Sequence, residues 1–222
     1  MKNTMHSKGV VFDFNGTLFW DTEEQNASWD RFFQNHGFEL SEEEKNTYVH
    51  GINAKDTFEY LFKRPVDAKE VDRLTEEKEE VYRDMCLQKG MKWAPGSIEL
   101  FQFLNENNVP MAIATASAKN NVEFFIEHLG LLDYFKREHI IFNDGTVRGK
   151  PHPDLFTKAI RILEIPAENV TIFEDSFAGI EAAENAGAGA IVIVNGNEEH
   201  SKRFSYPVIS HFNEFDKTSL VQ

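Results

Sequence analysis

Val10-Val11-Phe12-Asp13-Phe14-Asn15-Gly16-Thr17-Leu18 is the stretch that decides the fold. An apolar run of the kind that makes a strand buried on both faces of a parallel sheet stops at a carboxylate, and Asn15-Gly16 then turns the chain. Open α/β sheets carry their chemistry at the carboxyl ends of central strands, which nominates Asp13 as a functional group. Further apolar runs follow at 109–115, 139–142, 170–173 and 190–194, with the short pair Val208-Ile209 near the end. Amphipathic segments at 97–107, 120–129, 154–163 and 177–186 lie between most of them. Such alternation predicts a parallel sheet with right-handed crossovers. Residues 21–92 break the rhythm: they carry helical patterns at 23–34, 55–62 and 67–88 and no convincing strand. The expected fold class is therefore α/β. A Rossmann-like parallel-sheet core spans residues 1–20 and 93–222, an all-helical cap spans 21–92, and Ala94-Pro95-Gly96 marks the return to the core.

Composition narrows the function. Across 222 residues, 23 Lys and Arg stand against 37 Asp and Glu, a formal charge of −14. That balance argues against a nucleic-acid or anionic-membrane surface, since nothing would neutralise phosphates over an extended footprint. A site for a phosphorylated substrate must then build its positive potential locally. Cys86 is the only cysteine, which excludes an intrachain disulfide. Met1 to Lys8 is polar, without the apolar segment of a signal peptide, and no apolar run approaches the ~20 residues that span a bilayer. These signs lead us to expect a cytoplasmic monomer acting on a small phosphorylated substrate, with no nucleic-acid or membrane partner.

Three later segments supply parts that match Asp13. Ala114-Thr115-Ala116-Ser117 ends the second apolar run. If a helix starts there, the Thr115 hydroxyl and the amides of Ala116 and Ser117 are placed to bind phosphate oxygens at its positive end; the alternative is that Thr115 or Ser117 only caps the helix. Gly149-Lys150-Pro151-His152-Pro153-Asp154 fixes a lysine between Gly and Pro, so that its ammonium can be aimed at Asp13 and at a transferring phosphoryl group. Phe173-Glu174-Asp175-Ser176 ends a strand that would lie beside the first. Adjacent strand residues face opposite ways, so only one of Glu174 and Asp175 can be a direct metal ligand without a local bend. A carboxylate attacks a phosphate dianion only if a cation screens their repulsion. Mg²⁺, hard and oxygen-seeking, is the expected cofactor.

Taken together, these motifs resemble the haloacid dehalogenase superfamily of aspartate-nucleophile phosphotransferases, closest to the branch of β-phosphoglucomutase and small sugar-phosphate phosphatases with a helical cap. The resemblance implies Asp13 as nucleophile and Lys150 as its screening cation. It also implies Mg²⁺ held by Asp13, the backbone carbonyl of Asn15 and Asp175, with Glu174 acting at one remove. One position departs from the pattern: the family usually reads Asp-x-Asp-Gly-Thr, and here the second acidic position is Asn15. In the usual enzymes that Asp protonates the leaving oxygen and then activates water, and an amide can do neither. The main expectation is a slow or selective phosphohydrolase with Asn15 as a hydrogen-bond donor. Alternatives are a phosphomutase, a weakly catalytic phosphometabolite-binding protein, and a C–P hydrolase resembling phosphonoacetaldehyde hydrolase, with Lys55 forming an imine. In the related enzymes a cap loop reaches the active site, which makes His50, Asn53 and Lys55 candidates for substrate selection; the alternative is a solvated loop before a helix.

Overall fold

The computed structural model describes residues 8–49 and 54–221. Two compact units account for them: one formed by the residues up to Trp20 and from Met91 onward, the other by Asp21–Gly90.

The first unit is built on a six-stranded sheet of β1 (Gly9–Phe12), β2 (Met111–Ala118), β3 (Ile140–Asn143), β4 (Val170–Glu174), β5 (Ala190–Val194) and β6 (Val208–Ile209). All pairings are parallel, in the order β3-β2-β1-β4-β5-β6. The chain runs outward from β1 through β2 to β3, then crosses back to β4 on the other side of β1 and runs outward again. The order therefore reverses at the β1–β4 pair, where Phe12 is in register with Phe173. That reversal opens a crevice at the strands' carboxyl ends, the usual ligand position in doubly wound sheets.

Strand alternation divides the buried residues between two faces. Phe12 stacks on Phe173 at 5.1 Å and meets Phe101, Phe135 and Phe212 edge-on, an aromatic layer on one face. On the other face Val11, Ala112, Ala114 and Ile172 form a core with Leu155, Phe156, Ala159, Ile160, Ile180 and Ala183. Both faces are covered, which is why the strands read as continuous apolar runs.

Among the described residues, five α-helices belong to the sheet unit and four more to the Asp21–Gly90 unit. In chain order they are α1 (Thr22–His36), α2 (Glu42–Tyr48), α3 (Ala54–Phe62) and α4 (Ala68–Lys89) in that unit. Those of the sheet unit are α5 (Ser97–Glu106), α6 (Lys119–Leu129), α7 (Asp154–Leu163), α8 (Phe177–Asn185) and α9 (Glu198–Arg203). The helical unit has its own core of Phe32, Phe33, Phe58, Leu61, Val66 and Leu74. Helix α2 joins the at least three helical patterns expected for this region. Its signature is a capping box: the Glu44 amide donates to Ser41 Oγ at 3.3 Å, and the Ser41 amide donates to Glu44 Oε2 at 2.9 Å. None of the described helices is long and apolar enough to cross a membrane.

Strand β1 ends at Phe12, just before the carboxylate at which the apolar run stops, and the Asp13 amide still donates to Phe173 O at 2.9 Å. Strand β2 continues past Thr115 to Ala118, with an irregular register to β3 between Ala114 and Ala118.

Candidate active site

Four segments converge at the carboxyl end of the β1–β4 pair. Asp13, which follows β1, is 5% exposed, and Glu174, the last residue of β4, is 1% exposed. Between them sits Lys150, whose Nζ donates to Asp13 Oδ1 and to Glu174 Oε2 at 2.5 Å each. The same ammonium lies 4.9 Å from the centroid of the Phe156 ring on α7. A lysine between Gly149 and Pro151, seated on an aromatic face and shared by two carboxylates, is held as a fixed charge.

Glu174 is pinned from its other oxygen. Its Oε1 accepts from the amides of Asp175 at 3.1 Å and Ser176 at 2.9 Å, and from Ser176 Oγ at 2.8 Å. Ser176 also caps α8, accepting from the Gly179 amide at 3.0 Å. A Cβ on Gly179 would sit 2.0 Å from the Glu174 carboxyl carbon, so this position must stay glycine for the carboxylate to lie where it does. Asp175 leaves the strand and turns toward Asp13, with Oδ1 accepting from Thr17 Oγ1 at 3.0 Å. Gly16 has φ +84°, and a Cβ there would fall 2.1 Å from Asp175 Oδ2. The Asn-Gly turn thus does two jobs: it reverses the chain and leaves room for a carboxylate. Thr17, Ser176 and Phe156 were not singled out in the sequence. The signal for Ser176 was its place three residues before Gly179 at a helix start; Thr17 and Phe156 become visible only once the strands are paired.

The electrostatics are unbalanced. Asp13, Glu174 and Asp175 each offer a carboxylate oxygen, all within 4.8 Å of one another. Three carboxylates against the one ammonium of Lys150 leave two negative charges uncompensated in a buried site. Burial, and then the Glu174 charge, push the Asp13 carboxyl up to about 7 against the pull of Lys150. Asp175 is raised well above the ordinary carboxylate range by burial, Glu174 and Asp13, with the Thr17 hydroxyl opposing. Burial lowers Lys150, but Asp13 and Glu174 outweigh it, and the ammonium is held above its ordinary value. A charge deficit of two in a cage of hard oxygen donors fits a divalent cation.

Asn15, in the turn after β1, is held from the end of β2. Its amide oxygen accepts from Ser117 Oγ at 2.7 Å and from Thr115 Oγ1 at 3.4 Å. Thr115 Oγ1 in turn accepts from the Ser117 amide at 3.1 Å. The expected placement of Thr115, Ala116 and Ser117 at a helix start is corrected here. These residues lie in the extended end of β2, and α6 begins only at Lys119. The hydroxyl of Thr115 captures the Ser117 amide locally and keeps the backbone extended, so the helix-end argument does not apply to these amides. Ala116 is exposed between them.

In the helical unit, Lys55 is exposed on the first turn of α3, with Nζ 3.8 Å from Glu59 Oε1. His50 and Asn53 lie outside the described residues.

Comparison with known proteins follows the same lines. The family model for haloacid dehalogenase-like hydrolase matches residues 10–193. The chain belongs to that family. Among curated relatives, a phosphorylated carbohydrates phosphatase of Thermotoga maritima is 27% identical over 81% of this chain and 82% of its own length. Among solved structures, a haloacid dehalogenase-family hydrolase (family IA, variant 3) of Entamoeba histolytica is 33% identical, with a TM-score of 0.87 over 96% of this chain and 97% of that one. A β-phosphoglucomutase of Clostridium difficile is 23% identical over 96% of this chain and 95% of that one; its TM-score of 0.78 shows a shared fold.

Proposed function

We propose that this chain, a phosphatase of its family, is Mg²⁺-dependent and hydrolyses a small phosphorylated metabolite of the sugar-phosphate class through an aspartyl phosphate on Asp13. The observation that carries the reading is the Lys150 ammonium, held 2.5 Å from both Asp13 and Glu174 beside Asp175 at the sheet's reversal point. A buried carboxylate with a fixed cation against it and two further acids within reach is costly to build for stability alone. The relationship to a carbohydrate phosphatase supports the substrate class.

In this reading Asp13 Oδ attacks phosphorus in line, the bond to the leaving oxygen breaks, and the phosphoryl group rests on Asp13. Lys150 supports the step by offsetting negative charge on both the nucleophile and the phosphoryl oxygens. Asp13, the Asn15 carbonyl and Asp175 would hold Mg²⁺, with Glu174 fixing Lys150 and the local backbone; the cation would supply charge neutralisation for an anionic substrate. Asn15 donates a hydrogen bond to the leaving oxygen but delivers no proton. General acid–base catalysis contributes about 10²–10⁴-fold, about 3–5 kcal/mol of barrier, and that share is missing for poor leaving groups.

The test is phosphate release from a panel of sugar phosphates and 4-nitrophenyl phosphate with Mg²⁺. Turnover should vanish in EDTA, return with Mg²⁺, and be absent in Asp13→Ala. Undiminished phosphate release by Asp13→Ala would overturn the covalent reading.

A further inference from the structure

The Asn15 amide is planar, so fixing its oxygen fixes its nitrogen. The oxygen accepts from two hydroxyls of one strand, Ser117 Oγ at 2.7 Å and Thr115 Oγ1 at 3.4 Å. The shorter bond is the stronger, and it comes from a side chain whose own amide is tied back to Thr115 Oγ1 at 3.1 Å. The resulting ring of Ser117 amide, Thr115 hydroxyl, Asn15 oxygen and Ser117 hydroxyl joins the turn after β1 to the end of β2, residues about a hundred positions apart. Turned by half a rotation about its terminal bond, the amide would present NH₂ to these hydroxyls and an acceptor oxygen to the other side. An acceptor there would repel the negative charge that builds on a leaving oxygen.

Resting on the phosphatase reading above, we propose that Ser117 is a positioning residue for Asn15: its hydroxyl locks the amide with the oxygen inward and the nitrogen as a fixed hydrogen-bond donor to the leaving oxygen of the substrate. A fixed donor that cannot release a proton stabilises the charge that builds on the leaving oxygen, most for an alkoxide and least for a stabilised aryl oxyanion, without supplying the proton that an alkoxide also needs. The bond broken is P–O of the ester, the bond formed is Asp13 Oδ–P, and the leaving oxygen takes its proton from water after departure. Ser117 acts through Asn15, not on the substrate. Its removal should therefore be felt in proportion to the charge that the leaving oxygen bears.

This proportionality separates positioning from a general role in phosphate binding or folding. The experiment measures kcat/KM for an aryl phosphate (4-nitrophenyl phosphate) and an alkyl phosphate (glycerol 3-phosphate) in the wild-type protein, Ser117→Ala, Ser117→Thr, Asn15→Ala and the Asn15→Ala/Ser117→Ala double variant. Melting temperatures establish that each is folded. Ser117→Ala should lower the alkyl ester about tenfold and the aryl ester less than about threefold, the loss of one aligned hydrogen bond read through two leaving groups. Ser117→Thr, which keeps the hydroxyl, should restore the wild-type ratio. In the Asn15→Ala background, removing the hydroxyl should leave the aryl-to-alkyl ratio unchanged, because the group it positions is gone. Equal losses for both esters would overturn the proposal and leave the phosphatase reading standing, as would the same ratio change in the Asn15→Ala background. No turnover of either ester by folded wild-type protein with Mg²⁺ would overturn both.

Discussion

The uncompensated charge around Asp13 has a thermodynamic consequence that can be measured without a substrate. The Asp13 carboxyl stands near 7 in the folded protein, raised from an ordinary 3.8 by burial and by Glu174. A group whose folded pKa exceeds its unfolded value binds more protons when folded, so stability falls as pH rises between the two values. The window therefore runs from about pH 4 to about pH 7. A gap of about three units corresponds to about 4 kcal/mol, with Asp175 shifted in the same direction and sharing the same charge excess. Lys150 contributes no slope here, because its raised value keeps it charged throughout the window. About 2.6 kcal/mol of the Asp13 contribution falls between pH 5 and pH 8, and for a protein of this length each kcal/mol moves the melting temperature by roughly 2–4 °C, so metal-free protein should melt roughly 5–11 °C higher at pH 5 than at pH 8. The assay is scanning calorimetry in EDTA at both pH values, repeated with Mg²⁺ and with Asp13→Asn. Mg²⁺ held, as proposed, by the charged carboxylates of the folded state should raise the pH 8 melt far more than the pH 5 melt. Asp13→Asn should shrink the metal-free difference. Metal-free protein as stable at pH 8 as at pH 5, or an Asp13→Asn variant with an undiminished difference, would refute the electrostatic account of the site.

Two substitutions test the turn itself. Asn15→Asp should raise kcat/KM, which reports the capture step, by one to three orders of magnitude for alkyl phosphate esters and less for aryl esters, measured beside intact-mass analysis that excludes deamidated Asn15 in the parent; a variant no faster than the parent on any ester would mean that the proton comes from elsewhere. Gly16→Ala forces an alanine to φ +84° and drives its Cβ to 2.1 Å from Asp175 Oδ2; the expected result is a stability loss of about 1–2 kcal/mol in denaturant melts and at least a tenfold weaker Mg²⁺ titration, and unchanged Mg²⁺ affinity would count against Asp175 as a ligand.

Much of this architecture is legible in the one-dimensional pattern, for a physical reason. A doubly wound sheet buries both faces of its strands, so each strand announces itself as an unbroken apolar run, and the run at 190–194 coincides with β5 to the residue. Helix α7 does likewise at 154–163, because Leu155, Phe156, Ile160 and Leu163 fall on one stripe. What escaped was governed by local polar bonds instead of by burial. Helix α2 contains Glu42, Glu43, Glu44, Lys45 and Asn46 and no apolar stripe, and only its capping box at Ser41 and Glu44 marks it. The end of β2 is not legible in the sequence, because Thr115 and Ser117 suit helix caps as well as strands, and the bond from the Ser117 amide to the Thr115 hydroxyl decides between them. For the site, identity came from motifs and arrangement from topology: that Asp13, Lys150, Glu174 and Asp175 meet requires β4 beside β1, which no single motif states.

The oddity at position 15 is consistent with the charge around it. Asp13, Glu174 and Asp175 already exceed Lys150 by two negative charges. A fourth carboxylate in that turn would add to the repulsion and be driven toward its protonated form, which is the form an acid catalyst needs. An amide copies that protonated acid in two respects, neutrality and a hydrogen-bond donor, and the Ser117 hydroxyl donates to its oxygen at 2.7 Å. It fails to copy the third, a transferable proton. On the proposed covalent mechanism the two half-reactions would then separate. Capture of the phosphoryl group by Asp13 would keep its nucleophile, its fixed ammonium and its donor, and lose rate only as far as the leaving oxygen needs a proton. Hydrolysis of the aspartyl phosphate would need a base to activate water, and Asn15 is no base. The slow step would move to the second half, and phosphorylated Asp13 would accumulate.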